Sequence, residues 1–183
     1  MTTAATSAKG AWLIDASHSE ITFKVKHLVV TNVTGKFDKF DATINSPNDD
    51  FSDATIKFTA EVNSINTNSE QRDTHLKSDD FFNAEKYPHL SFTSTSFKKI
   101  SGHDYKLIGD ITIRNITKSI ELTAEFGGII VDPWGNTKAG FELNGNIKRK
   151  EFDLKWDVVT ELGSAMVSDE VKLHLNVELQ KQA

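Results

Sequence analysis

The chain predicts an all-β fold: an antiparallel eight-stranded barrel with one short helical insert capping an end. Three observations point there. Apolar and polar residues alternate along most of the 183 residues, and a period of two marks a strand with one buried face. Only one stretch turns helical, whereas parallel pairing would need a long crossover at every connection, so strands joined by short turns must be antiparallel. Finally, the inward positions include Ala54, Ala60, Gly109, Ala124, Ala139 and Gly145. In a two-sheet sandwich, large residues of the facing sheet could fill the space they leave. In a barrel of roughly eight strands the space becomes a cavity for one small ligand. Both architectures fit the alternation; the small residues favour the barrel.

Met1–Gly10 is small and polar and reads as a flexible arm, with a single barrel domain from residue 11 to residue 183. After the short apolar opening Trp12–Asp15, Ile21, Phe23, Val25 and His27 share one strand face, opposite Glu20, Thr22, Lys24 and Lys26. Val33 and Phe37 fall on odd positions but Phe40, Ala42 and Ile44 on even ones. That slip of one residue implies a bulge that bends the strand. Asn45–Asp53 is a turn by composition. Ala54, Ile56, Phe58, Ala60 and Val62 then form the inner face of the next strand.

Between Ser69 and Phe92 the alternation stops. Thr67 with Glu70, or Asn68 with Gln71, would make a capping box. A helix from about Ser69 to Ser78 follows, and Pro88 forbids its continuation. Its apolar content is only Leu76 and the pair Phe81–Phe82, too little for a core helix and enough for a cap. Past the insert, strands resume at Leu90–Phe92, Tyr105–Ile113, Ile120–Phe126, Ala139–Ile147 and Val171–Leu179, with Asn115 in a turn because Asn tolerates the left-handed conformation. No repeat unit and no linker is visible.

The net charge of -5, with no basic block, disfavours binding to nucleic acid or to an anionic membrane surface. The absence of cysteine excludes disulfides, thiolate metal sites and a thiol nucleophile. No apolar run reaches the ~20 residues of a membrane span. The first ten residues show no signal peptide, so the chain reads as cytoplasmic as written, or periplasmic if it is a mature form.

The six histidines show no HExxH motif and no pair at helical spacing, so no metal and no cofactor is expected. His27 alone continues an apolar face, as a buried histidine bonded to a carbonyl or as a polar group at a cavity mouth. Arg72, near Asp73 and His75, suits either an anchor for an anionic or quinone head group or an ion-paired capping network. No GxSxG elbow appears, and Leu162–Ala165 lacks its second glycine. Asp79 and Asp80 read as solvated surface. Many of the twelve phenylalanines lie on inward faces, as in an ordinary aromatic core or the lining of an apolar tunnel.

The string Trp12-Leu-Ile-Asp15, His18-Ser19 and Phe23-Lys-Val-Lys-His-Leu28 resembles the opening of the YceI-like family. So do Gly35-Lys-Phe37, Ser64-Ile65 with Thr67, Arg72-Asp73-x-His75-Leu76-x-Ser78-x-Asp80-Phe81-Phe82, Tyr87-Pro88 and Phe92-x-Ser94. Gly109-Asp110-Ile-Thr-Ile113, Thr117-Lys118, Ala139-Gly-Phe141 and Ile147-Lys-Arg149 continue in family order. Two positions depart: Asn115 stands where the family usually has Gly, and Glu151-Phe152-Asp153 replaces Asp-Phe-Gly.

The resemblance implies a lipocalin-like barrel that binds a polyisoprenoid or fatty-acid-like lipid in its lumen, as a non-catalytic carrier or store, commonly as a homodimer. On that expectation the ligand meets Phe23, Val25, His27, Phe37, Ile56, Phe58, Arg72, His75, Phe82, Phe92, Phe126 and Phe141. Two other functions fit the residues: an enzyme on an isoprenoid or quinone substrate using His27 or His75 as acid or base, and a structural or stress-related interaction domain whose barrel is filled by side chains.

Overall fold

The computed structural model describes residues 7–158 and 166–183. Its eleven strands are β1 (Gly10–Ile14), β2 (Glu20–His27), β3 (Thr31–Phe37), β4 (Phe40–Ser46), β5 (Thr55–Glu61), β6 (Ile65–Asn66), β7 (His89–Ser101), β8 (Asp104–Ile113), β9 (Ile116–Val131), β10 (Thr137–Lys148) and β11 (Val167–Lys181). One helix, α1 (Glu70–Leu76), lies between β6 and β7.

The first six strands are three bent ones. A turn of 3₁₀ helix at Ala16–His18 interrupts β1–β2, a bend at Asp38–Lys39 interrupts β3–β4, and another 3₁₀ turn at Val62–Ser64 interrupts β5–β6. Counted this way, eight antiparallel staves close into a ring. β11 closes it by pairing β10 along one edge and, along the other, β2 and then β1. The slip read between Phe37 and Phe40 is the β3–β4 bend, which carries one stave from β2 onto β1. Further irregularities in the β7–β8, β9–β10 and β11–β2 ladders supply curvature.

The two barrel ends differ. At one, the loop after β4 folds inward and buries Phe51 against Trp12, Phe126 and Phe141, at ring-centre distances of 5.2, 5.6 and 5.1 Å. Phe97 and Tyr105 complete this aromatic plug, and the Tyr105 hydroxyl donates to the Asp50 carbonyl. Composition marks this loop as a turn but does not reveal that it carries a core residue. The stretch read as an arm reaches the same end: Ala8 is buried and its carbonyl accepts from Trp12 Nε1 at 2.8 Å, while residues 1–6 lie outside the described residues.

At the other end lies the insert. β6 pairs only with Lys36 and Phe37 of β3, and among the described residues it has no ladder to β7. α1 sits over this break. Its N-cap is Ser69, whose hydroxyl accepts from Arg72 N at 3.3 Å, not Thr67 or Asn68. Thr67 is taken by Asp73 instead: its backbone N–H and its hydroxyl both donate to Asp73 Oδ1, at 2.9 and 2.5 Å. The helix is accordingly shorter than read from sequence, ending at Leu76. Phe81 is buried and Leu76 and Phe82 pack on the core, as a cap requires.

Both departures from the family pattern keep the needed backbone. Arg114 and Asn115 form a two-residue hairpin turn at φ 51° and 62°, where glycine and asparagine are favoured. Asp153 takes φ 60° at the end of the 3₁₀ turn Arg149–Phe152, a left-handed position Asp adopts more readily than most residues.

Candidate functional site

Inside the staves is an apolar cavity of about 680 Å³, within the ~300–1,000 Å³ typical of small-molecule sites. The inward residues of β11 show why a cavity rather than a packed core forms. Val171, Leu173, Leu175 and Val177 remain only partly buried, although they face inward, because they border a hollow. The lumen is therefore not filled by side chains.

The small inward residues act differently from the simple subtraction that alternation suggests. A Cβ at Gly35 would stand 2.3 Å from the Phe23 ring, one at Gly109 2.3 Å from the Phe92 ring, and one at Gly145 2.2 Å from Leu122. Each glycine is a recess occupied by a neighbour's large side chain, which lies flat against the wall and leaves the axis open. A similar pairing of an aromatic ring with a cross-strand glycine recurs in sheets.

Phe23, Val25, His27, Phe37, Ile56, Phe58, Arg72, His75, Phe82, Phe92 and Phe141 all line this cavity. Phe126 does not. It belongs to the aromatic plug, 5.6 Å from Phe51 and 5.0 Å from Phe141. Its inward parity is right and it is the direct ladder partner of Phe141, but its ring is taken up by Phe51, Tyr105 and His103.

The polar groups of the lining gather at the insert end. Lys26 and His27 stand on the β2 side, Ser69, Gln71 and Arg72 on the α1 side. Between them the edge of β3 from Thr31 to Gly35 has no strand partner among the described residues, because β6 reaches only Lys36 and Phe37. This seam is the mouth. Arg72 is bound into the capping network: Nε donates to Thr67 Oγ1 at 2.8 Å and Nη2 to the Thr67 carbonyl at 2.7 Å. Its Nη1 has no hydrogen-bond partner among the described residues, so both roles weighed from sequence remain open to one side chain. His75 Nε2 pairs with Asp80 at 2.8 Å, and its ring packs edge-on against Phe81 and Trp156. Asp79 and Asp80 are exposed, but they are not idle: Asp79 accepts from Arg114 at 3.1 Å.

Three important residues escape a sequence reading. Phe51 floors the cavity, and Trp156 covers part of the mouth beside His75. Arg149, quoted above only as a motif residue, is 97% removed from solvent at 3% exposure. Its guanidinium donates to the carbonyls of Ser168, Leu154, Trp156 and Val167 at 2.5–3.0 Å. Burial pushes its pKa down from the usual arginine value, and Asp157 and Asp169 oppose that shift. With its donors spent on backbone, Arg149 positions the 150–158 segment and is not a head-group ligand. Leu162–Ala165 lies outside the described residues.

One titratable cluster forms away from the cavity. Asp15, His18 and Glu178 bring three potential metal-ligating atoms within 4.8 Å of one another. Lys138 Nζ sits on both carboxylates, at 2.8 Å from Asp15 and 3.3 Å from Glu178. An ammonium thus already supplies the cation, at the seam where β1 meets β11.

Among the described residues no helix is long and apolar enough to cross a membrane. The sequence profile of the YceI-like domain matches residues 12–179. A curated relative, protein YceI of Escherichia coli O17:K52:H18, is 40% identical over 164 residues, covering 90% of this chain and 82% of that protein. A solved YceI protein of Campylobacter jejuni is 36% identical with a TM-score of 0.74, over 87% of this chain and 91% of the other. A polyisoprenoid binding domain from Saccharophagus degradans, described as implicated in plant cell wall breakdown, shares the fold at TM-score 0.70 and 15% identity, over 95% and 100% of the two chains. The profile spans nearly every stave of the ring, and the chain belongs to the YceI-like family.

Proposed function

We propose that the protein binds a long-chain amphiphilic lipid of the polyisoprenoid class in its lumen, as a carrier or store and not as an enzyme. The observation that carries this reading is the cavity itself: about 680 Å³, walled by aliphatic and aromatic side chains, floored by Phe51 and rimmed by polar groups at one end only. Such a shape suits a molecule with one long apolar part and one polar head. The polyisoprenoid binding domain with the same fold adds the ligand class by analogy. Binding is favoured over catalysis because no carboxylate lines the cavity among the described residues, and His75 is committed to Asp80. General acid–base work needs converging titratable groups beside the reacting atom.

In this reading the isoprenoid tail occupies the tunnel between Phe23, Phe58, Phe92 and Phe141, and the head group meets His27 and Arg72 Nη1. The homodimer implied by the family resemblance is part of the same proposal, and sedimentation of the purified protein tests it.

Native mass spectrometry of protein purified without detergent, followed by extraction and identification of the released material, tests the ligand class. A retained isoprenoid, and saturable uptake of a long-chain polyprenol by the delipidated protein, are expected. A delipidated protein that takes up neither polyprenol nor fatty acid would overturn the reading.

A further inference from the structure

We propose that the β2–β3 turn, Leu28–Val30, is a docking tip that seats the cavity mouth on the surface of a lipid bilayer. The proposal rests on the lipid-binding reading for its purpose, but on separate observations for its site. Leu28, Val29 and Val30 are 40%, 60% and 78% exposed. Three consecutive aliphatic side chains in water are unfavourable unless something covers them.

The backbone sharpens this. Leu28 and Val29 lie at φ 52° and 67°. Val30 N–H donates to the His27 carbonyl at 3.2 Å, so Leu28 and Val29 are the central residues of a turn inside this three-residue loop. A turn with positive φ at both ordinarily carries Asn-Gly or Asp-Gly, and a β-branched residue there is an outlier. The chain holds an exposed valine in a disfavoured conformation where a polar residue would fit better, and strain of that kind accompanies function.

Position supplies the occupant. The tip follows directly on Lys26 at the cavity rim and His27 in its lining, and stands beside the β3 edge facing away from β2, which is unpaired at the mouth among the described residues. A lipid leaving a bilayer through that seam would pass the tip first. Lys24, on the outer face of β2, and Lys26, exposed at the cavity rim, make no ion pair among the described residues. This end therefore presents local positive charge to anionic head groups, although the net charge of -5 disfavours such a surface for the chain as a whole. Of the nearest acids on β11, Asp169 accepts from Lys150 N at 2.9 Å, and Glu170 lies opposite Lys148 in the ladder. A second apolar tip, with Ile130, Val131 and Trp134 at 65%, 58% and 83% exposure, belongs to the β9–β10 hairpin at the plugged end. There the positive φ of the turn falls on Gly135. That tip lies away from the mouth and serves as a control.

The test uses the full chain and vesicles of phosphatidylcholine with phosphatidylglycerol. The double variant Val29→Asn with Val30→Ser places Asn in a conformation it tolerates, so its melting temperature should equal or exceed that of the parent. Its vesicle-bound fraction in flotation, and its rate of taking a fluorescent polyprenol analogue from vesicles, should fall about tenfold. Uptake of the same analogue delivered from cyclodextrin, without vesicles, should be unchanged. Trp134→Ser should behave as the parent throughout. Equal flotation of the double variant and the parent would overturn the proposal. So would a change in sedimentation showing that the tip is buried against a second copy of the chain. The two readings fail separately: a parent chain that floats but takes up no analogue refutes the cavity's ligand class and keeps the tip. One that takes up analogue but does not float does the reverse.

Discussion

Phe23 and Phe92 lie flat over Gly35 and Gly109, and this arrangement decides how wide the lumen is. The two glycines are not equivalent. A Cβ at Gly109 would meet the Phe92 ring at 2.3 Å and also the Thr93 carbonyl oxygen at 2.6 Å. The carbonyl belongs to a paired strand and cannot give way. At Gly35 the three nearest atoms all belong to the Phe23 ring, which can swing into the lumen. Gly109→Ala is therefore expected to cost about 1–3 kcal/mol, the range for overpacking a filled site. Gly35→Ala should cost less stability but weaken polyprenol binding, because the displaced ring occupies the tunnel. Thermal unfolding and polyprenol titration of both variants check this, and equal stability losses with unchanged binding at Gly35→Ala would count against it.

The insert is the element whose stability is most open to question. A seven-residue helix is marginal alone, so α1 must be held by what it touches. Leu76, Phe81 and Phe82 supply apolar contacts, each contributing roughly 1.5–3 kcal/mol when fully buried. A latch comes from the β8–β9 turn: Arg114 donates to the carbonyls of Asp79 and Phe81, at 2.9 and 2.5 Å, and its guanidinium lies over the Tyr87 ring. Hydrogen bonds from a charged donor contribute about 1.5–3 kcal/mol. Arg114→Ala should lower the local opening free energy of residues 70–87 by that order, with β11 unaffected. Hydrogen exchange followed by mass spectrometry reads this directly. Bound polyprenol should also leave faster. Unchanged exchange across the insert would mean that packing alone holds it.

At the scale of the molecule, the ring is closed where the beginning of the chain meets its end. β1 offers only three residue pairs to β11, Trp12–Ile14 against Leu179–Lys181. Side chains reinforce this short ladder: Asp15 and Glu178 share Lys138 from β10. The hydrogen bond from Lys138, then those from Ser17 and His18, hold the Asp15 carboxyl well below the usual carboxylate range. A carboxyl depressed in the folded state contributes stability above its unfolded pKa of about 3.9. That contribution is lost as pH falls toward the folded value. Asp15→Asn should thus be less stable than the parent at pH 7, by on the order of 1–3 kcal/mol. The difference should begin to narrow below about pH 4. Urea unfolding from pH 7 to pH 2 measures it, and a difference that stays constant over that range would exclude the carboxylate as its source.

Much of this was readable along the chain. Alternation separated inner from outer faces on β2, β5, β8 and β11, and it put His27 on the cavity side. The one-residue slip at Phe37–Phe40 announced the bend, and the interruption at Ser69 announced the cap. These are local properties, set by the pleat and by neighbours a few residues away. What the chain order could not supply is height along the barrel axis, because that depends on how staves distant in sequence stagger against one another. Phe126 and Phe141 are direct ladder partners with the same inward parity, yet only Phe141 reaches the cavity, because Phe51, Tyr105 and His103, all distant in sequence, take up the Phe126 ring in the plug. For the same reason Phe51 read as part of a loop and became the floor, and Trp156 gave no signal at all. Thr67 satisfied the local rule for a cap, but Asp73 and Arg72 claimed its polar groups once the helix was docked. Alternation established which side chains face inward. Only the tertiary structure decided which of them enclose a hollow, because a hollow is the part of the interior that distant staves fail to fill.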